Sequence, residues 1–195
     1  MDAHWTRHRI RSRIAVRGSL ALALLLLLAA APACGSGKLE EHSATLREDF
    51  DADERKDAAE DLGKLGDRAA VPVLCAATRD PDDKVREAAA EALGRLGDRT
   101  AGPDLVALLN DPEKDVRGEA VKALGLLRDE ARVPDLLPLL SDRSSDIREE
   151  AVEALGLIGS GHALEALRQV ALRDRDEDVR AKAAFAVRRI EAAIQ

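Results

Sequence analysis

The chain reads as an all-α solenoid of about five helix pairs, and three observations predict it. First, a unit of about 31 residues recurs. PDDKVREAAAEALGRLGDRTAGPDLVALLND at Pro81–Asp111 returns as PEKDVRGEAVKALGLLRDEARVPDLLPLLSD at Pro112–Asp142 and again, worn, at Arg143–Asp174. That period falls in the range of helical solenoid units. Second, the units align in columns: Leu62, Leu93, Leu124 and Leu155 lie 31 apart, each followed by glycine, and Pro72, Pro103 and Pro134 hold a second column. Third, aromatic residues make up 2% of the chain, namely Trp5, Phe50 and Phe185. Ala, Leu and Val must therefore supply the core, which suits thin layers of close-packed helices better than one thick core.

The N-terminal segment differs in kind from the repeats. Arg7, Arg9, Arg11, Arg13 and Arg17 precede an apolar run from Leu20 to Ala31. The run is short for a membrane span and fits the h-region of a secretory signal peptide, with Ala31-Pro32-Ala33 as an A-x-A cleavage site. Ala-Pro-Ala-Cys resembles a bacterial lipobox, in which Cys34 would carry a diacylglyceryl thioether and begin the mature chain. Ala31 stands where that pattern usually has leucine, so plain cleavage after Ala33 is the alternative. The expected organisation is a signal peptide over 1–33, a lipidated cysteine with the flexible tether Gly35-Ser36-Gly37 over 34–38, and the repeat domain over 39–195. By the same resemblance, Gly35 favours the outer membrane, and the expected location is that of an outer-membrane or periplasmic lipoprotein. The alternative is a soluble periplasmic or secreted protein.

Within the repeats, a degraded helix over Leu39–Glu48 comes first. It is polar where later units are apolar, with Glu41 in the place of Pro72, as terminal solenoid units often are. Each full unit then contains two helices. The first spans Val71–Arg79, Gly102–Asn110, Val133–Ser141 and Ala163–Leu172, with proline suited to its first turn. The second spans Arg55–Leu65, Asp83–Leu96, Lys114–Leu127, Ser145–Ile158 and Glu177–Ala193. Asp82, Ser144 and Asp176 are placed to cap these second helices, and Glu113 is a poorer cap. Val85, Ala89, Ala92, Leu93 and Leu96 share one face at helical spacing. Glycines stand at helix ends, with Gly66, Gly97 and Gly159 permitting a left-handed stop. Pro138 falls inside its helix and should kink it or delay its start.

Charge narrows the partner classes. Net charge is −7, although residues 1–33 hold five arginines and one aspartate, so the remainder is more acidic still. An acidic surface with few rings disfavours nucleic acid.

The VR, ALGxLGD and VPxLxxLL columns, with an aspartate followed six residues later by arginine, resemble HEAT repeats of the short subtype found in phycobilisome lyases. The resemblance covers Leu39 to about Ile194 and implies a right-handed α-α superhelix. It also implies a structural ladder running between repeats through Asp80, Arg86, Asp111, Arg117, Asp142, Arg148, Asp174 and Arg180, with Asp49–Arg55 at its head. HEAT proteins conventionally place second helices on the concave side. That nominates three outward columns as a surface for a protein partner. They read Lys56, Glu87, Gly118, Glu149, Ala181; then Glu60, Glu91, Lys122, Glu153, Phe185; and, flanking them, Lys64, Arg95, Leu126, Leu157, Arg189. Glu87, Glu91, Arg95, Lys122, Leu126, Glu153 and Leu157 are the candidate contacts. Leu126 and Leu157 either form an apolar patch or pack between repeats.

Chemistry is sparse. His4, His8, His42 and His162 form none of the His-Glu pairs with which HEAT-type hydroxylases hold two irons. Neither H-E-x-x-H nor C-x-x-C spacing is present, and phosphate-binding glycine loops are absent. Cys75 shares an apolar column with Val106 and Leu137 and reads as an inert thiol. No catalytic residue, metal or cofactor is expected. The reading is an exported, lipid-anchored scaffold for protein partners, and the alternative is a catalytic HEAT protein of bilin-lyase or hydroxylase type.

Overall fold

The computed structural model describes residues 36–49 and 51–194. The expected sites at Cys34 and in the signal segment lie outside the described residues. Among the described residues, ten α-helices follow one another: α1 Ser36–Glu48, α2 Ala52–Leu65, α3 Val71–Ala77, α4 Asp83–Leu96, α5 Gly102–Leu108, α6 Lys114–Leu127, α7 Val133–Leu136, α8 Ser145–Ile158, α9 Leu164–Arg173 and α10 Glu177–Ala193. Each odd-numbered helix packs on the even-numbered helix after it, and α2, α4, α6, α8 and α10 stack in series. Helix α1 begins at Ser36, so two residues of the expected tether are helical.

The ALGxLGD stretch explains how one helix ends and the next begins. Gly66, Gly97 and Gly159 adopt φ of 72°, 63° and 76°, the left-handed stop that glycine makes at little cost. The following Asp67, Asp98 and Asp129, and Ser160 in the last unit, each accept a hydrogen bond from the amide two residues on. Each thereby starts a single 3-10 turn that leads into the next first helix. At α6 the stop falls to Arg128, at φ 48°. The Arg99 guanidinium of the preceding unit donates to the Arg128 carbonyl at 2.9 Å, satisfying a carbonyl that the helix leaves without a partner.

Caps follow the sequence in part. Asp82 and Asp176 accept from the amides two and three residues ahead. Ser144 occupies the same position, but its hydroxyl makes no capping bond, nor does Glu113. The amides of both residues are instead held by the carboxylates of Asp142 and Asp111.

Leu62, Leu93, Leu124 and Leu155 are fully buried, as are Leu74, Leu105, Leu136 and Leu167 of the first helices. Each leucine withdrawn from water in this way contributes about 1.5–3 kcal/mol. The glycines after the first set are not helix ends. Gly63, Gly94, Gly125 and Gly156 lie inside the second helices and let the next helix approach. A Cβ on Gly94 would meet Ala123 Cα at 2.9 Å, and one on Gly125 would meet Ala154 Cα at 2.7 Å.

Candidate functional site

The aspartate–arginine columns build a ladder along one edge of the stack. Arg55 Nε and Nη2 donate to both Asp80 oxygens at 2.8 and 2.7 Å. Arg86 holds Asp111 at 2.7 and 3.0 Å, and Arg148 holds Asp174 at 2.8 Å twice. The remaining nitrogen of each guanidinium reaches back to the carbonyl of its own unit's aspartate: Asp49, Asp80 and Asp142. The fork geometry of arginine thus serves two units at once. Arg180 makes the carbonyl contact with Asp174 alone.

One rung departs from the expected ladder. Arg117 donates to the carbonyls of Asp111 and Pro112, yet no ion pair joins it to Asp142 among the described residues. The first helix of that unit also differs from the others. Pro138 has no N–H to continue the α pattern, so α7 stops at Leu136 and Leu137–Ser141 runs on as a 3-10 helix.

The nominated surface is laced with ion pairs. Glu91 pairs with Arg95, Glu87 with Lys84, and Lys56 with Glu60. From α6 onward the pairs cross between helices. Lys114 meets Asp146 at 2.6 Å, Lys122 meets Glu150 at 3.4 Å, and Lys182 engages both Glu149 and Glu153. The charged candidates are therefore already partnered within the chain. Pairs this exposed contribute little to stability and leave their charges available for exchange.

Gly118 is buried, unlike its column neighbours, because the Glu150 carboxylate covers it. A Cβ there would lie 2.5 Å from Glu150 Oε2, an oxygen without a hydrogen-bond partner. Burial pushes the carboxyls of Glu119 and Glu150 up, with Lys122 opposing the rise in both cases. Lys122 loses hydration too, but the two glutamates outweigh that and hold its ammonium above the usual range. These groups line a cleft of about 270 Å³ between α4, α6 and α8. They tie α6 to α8, and no group of His, Cys, Asp or Glu suited to a metal occurs among the described residues.

A second cleft, of about 510 Å³, opens between α8 and α10. Its lining includes the apolar Gly156, Leu157, Phe185 and Ala186 and the charged Glu153, Lys182 and Arg189. Leu126 is 49% exposed and Phe185 61% exposed, while Leu157 is half-buried. Both earlier readings of the leucines hold in part. Leu126 and Leu157 face solvent on one side and on the other lie over Gly94 and Gly125, 3.3 and 3.5 Å from where a Cβ would stand. The contributions of Gly156 and Lys182 escaped the sequence reading. The available signal was the switch from charge to phenylalanine at Phe185 in a column otherwise Glu, Glu, Lys, Glu.

Cys75 is half-buried, and burial together with the neighbouring Asp104 pushes its thiol up to about 12. It stays protonated at neutral pH. Among the described residues, no helix is long and apolar enough to cross a membrane.

Comparison with known proteins agrees with this architecture. HEAT repeats match residues 40–113 and 102–188. The complex of CpcE and CpcF of phycocyanin lyase from Nostoc sp. PCC7120 is similar at 31% identity and a TM-score of 0.70, over 79% of this chain and 65% of that one. The present chain thus spans less than two thirds of that relative. An engineered protein is similar at 25% identity and a TM-score of 0.65, over 80% of this chain and 81% of the other. A designed armadillo repeat protein in complex with the peptide (KR)4, 23% identical with a TM-score of 0.61, shares the fold over 80% of this chain and 82% of its own. No curated protein matches. With its repeat columns, its stacked helix pairs and a family match over most of its length, the chain belongs to the HEAT-repeat family.

Proposed function

We propose that the protein is a non-enzymatic scaffold for a protein partner, exported and tethered to a membrane through a lipid on Cys34. The observation carrying the scaffold reading is the outward face of α4, α6, α8 and α10. Its side chains cross from helix to helix, so one partner can touch several units at once. Export and anchoring are supported by the arginine-rich start, the apolar run Leu20–Ala31 and the Ala31-Pro32-Ala33-Cys34 junction. Retention of a partner by the mature chain, and its loss on combined charge reversal at Glu91, Lys122 and Glu153 with helical content unchanged, tests the face. Glu130→Lys serves as the control between repeats. Unaltered affinity of the triple variant would remove this face from the interface. For the anchor, Cys34→Ser should shift the protein from the membrane to the soluble exported fraction. A wild-type protein that is soluble and begins with a free thiol at Cys34 would contradict it.

A second reading, a chain with lyase activity, is favoured by the 31% identity to the phycocyanin lyase complex. The high pKa of the Cys75 thiol argues against a thiolate from that residue. Incubation with a bilin followed by absorption spectroscopy separates the two readings. A bound or transferred chromophore would favour the lyase.

A further inference from the structure

The cleft between α8 and α10 interrupts a series. At three successive seams, a side chain of the following helix covers the helix glycine: the Arg95 stem lies over Gly63, Leu126 over Gly94 and Leu157 over Gly125, at 3.8, 3.3 and 3.5 Å from the Cβ position. At the fourth seam, Gly156 has no such cover. Its nearest neighbours are Ala186 Cβ at 3.1 Å and Cα at 3.7 Å, so α10 also stands further off than the earlier helices do. Arg189, which holds the place of Leu126 and Leu157, lines the opening instead of filling it. The outcome is an apolar opening over Gly156, where the earlier seams have a covering side chain, walled by the exposed ring of Phe185.

Charge defines what such a seat accepts. Among the described residues, Arg188 and Arg189 make no ion pair, and nearby Glu191 is taken by Arg168. Lys182 is the second cation lining the cleft beside Arg189, and it is held by Glu149 and by Glu153, the one carboxylate in that lining. This end of α10 is basic in a chain of net charge −7. From this geometry we infer that the cleft docks an acidic segment of a partner protein. Such a segment seats a leucine-sized side chain over Gly156, beside Phe185, and places an adjacent carboxylate against Arg189. An arginine fork matches a carboxylate in two-pronged fashion, and an apolar anchor in a close-fitting pocket is how a few residues carry most of an interface. This assignment rests on the scaffold reading and names the partner's chemistry for one end of the same face.

Fluorescence anisotropy with the full chain tests it. Three labelled, N-acetylated peptides are compared: two central leucines flanked by aspartates and glutamates, the same leucines flanked by lysines, and the acidic peptide with alanines for leucines. The acidic leucine peptide should bind at least tenfold more tightly than either control. Phe185→Glu, which restores the charge of the column, and Arg189→Leu, which covers Gly156 as Leu157 covers Gly125, should each weaken it at least tenfold. Circular dichroism should show unchanged helix content in both. Equal affinity for the three peptides, no binding of any, or indifference to both variants would overturn the assignment. So would a dimer that Phe185→Glu dissociates, because a second copy would then occupy the cleft. If a partner is still retained by the mature chain while peptide selectivity is absent, this assignment alone fails. If no partner is retained at all, the scaffold reading fails.

Discussion

Arg148 grips Asp174 of the next unit through Nε and Nη2, each at 2.8 Å, and both side chains are nearly inaccessible to water. Arg117, the same residue one unit earlier, closes on no carboxylate among the described residues. Removing one partner of a buried, hydrogen-bonded ion pair typically costs about 3–5 kcal/mol, whereas losing charged bonds to carbonyls costs about 1.5–3 kcal/mol. Arg148→Ala should therefore lower the urea midpoint distinctly more than Arg117→Ala. Equal losses would mean that the rungs, paired or not, do not set the strength of the seams.

The same pair predicts a pH response. The hydrogen bonds from Arg148 hold the Asp174 carboxyl below its usual range, against an opposing effect of burial and with help from the Asp176 amide. A depressed folded pKa contributes stability that is present above the unfolded value of about 3.9 and is lost as pH falls through the folded one. The stability gap between wild type and Asp174→Asn should be full at neutral pH and shrink below about pH 4. Glu150, pushed up chiefly by burial, has the opposite sign. Its favourable contribution belongs to acid pH and fades as pH rises through its folded value, so Glu150→Gln should be neutral or stabilising at pH 7. Chemical denaturation across the pH range checks both.

Gly125→Ala sets helix propensity against packing. Alanine in a helix gains about 0.5–1 kcal/mol over glycine. Its methyl, however, would stand 2.7 Å from Ala154 Cα, and overpacking costs about 1–3 kcal/mol. Net destabilisation is expected. Gly156→Ala, whose nearest neighbour is at 3.1 Å, should be milder. A stabilised Gly125→Ala variant would show that the helices can part at no cost.

Arg128→Gly should act in the other direction. A left-handed conformation costs a side-chain-bearing residue about 1–2 kcal/mol, and Arg128 holds one at φ 48°. The carbonyl that receives Arg99 is retained, so a gain of about 1 kcal/mol is expected from thermal or urea unfolding. A loss would assign the Arg128 side chain a contact of greater worth than the strain.

Leu93→Ala and Leu124→Ala each empty a fully buried site and should each cost about 2–5 kcal/mol. Changes within about 0.5 kcal/mol at both positions would contradict the register of the repeat.

The sequence by itself determined the period, the helix pairing, the buried leucine column, the left-handed stops at Gly66, Gly97 and Gly159, and the interruption at Pro138. All of these follow from backbone preference and apolar spacing within one unit, which neighbouring residues encode. The tertiary structure alone decided what happens between units. Gly63, Gly94, Gly125 and Gly156 share a column with no visible reason until the next helix is laid against them. The ladder looked uniform at its six-residue spacing, yet the carboxylate that each arginine meets lies in the following unit. Whether it is met is decided between units: Arg55, Arg86 and Arg148 close on their carboxylates, whereas among the described residues Arg117 does not close on Asp142. The cleft beside Phe185 arose in the same way. A seam is set by two surfaces from separate units, and Arg189 reveals itself as a missing cover only when Gly156 lies beneath it.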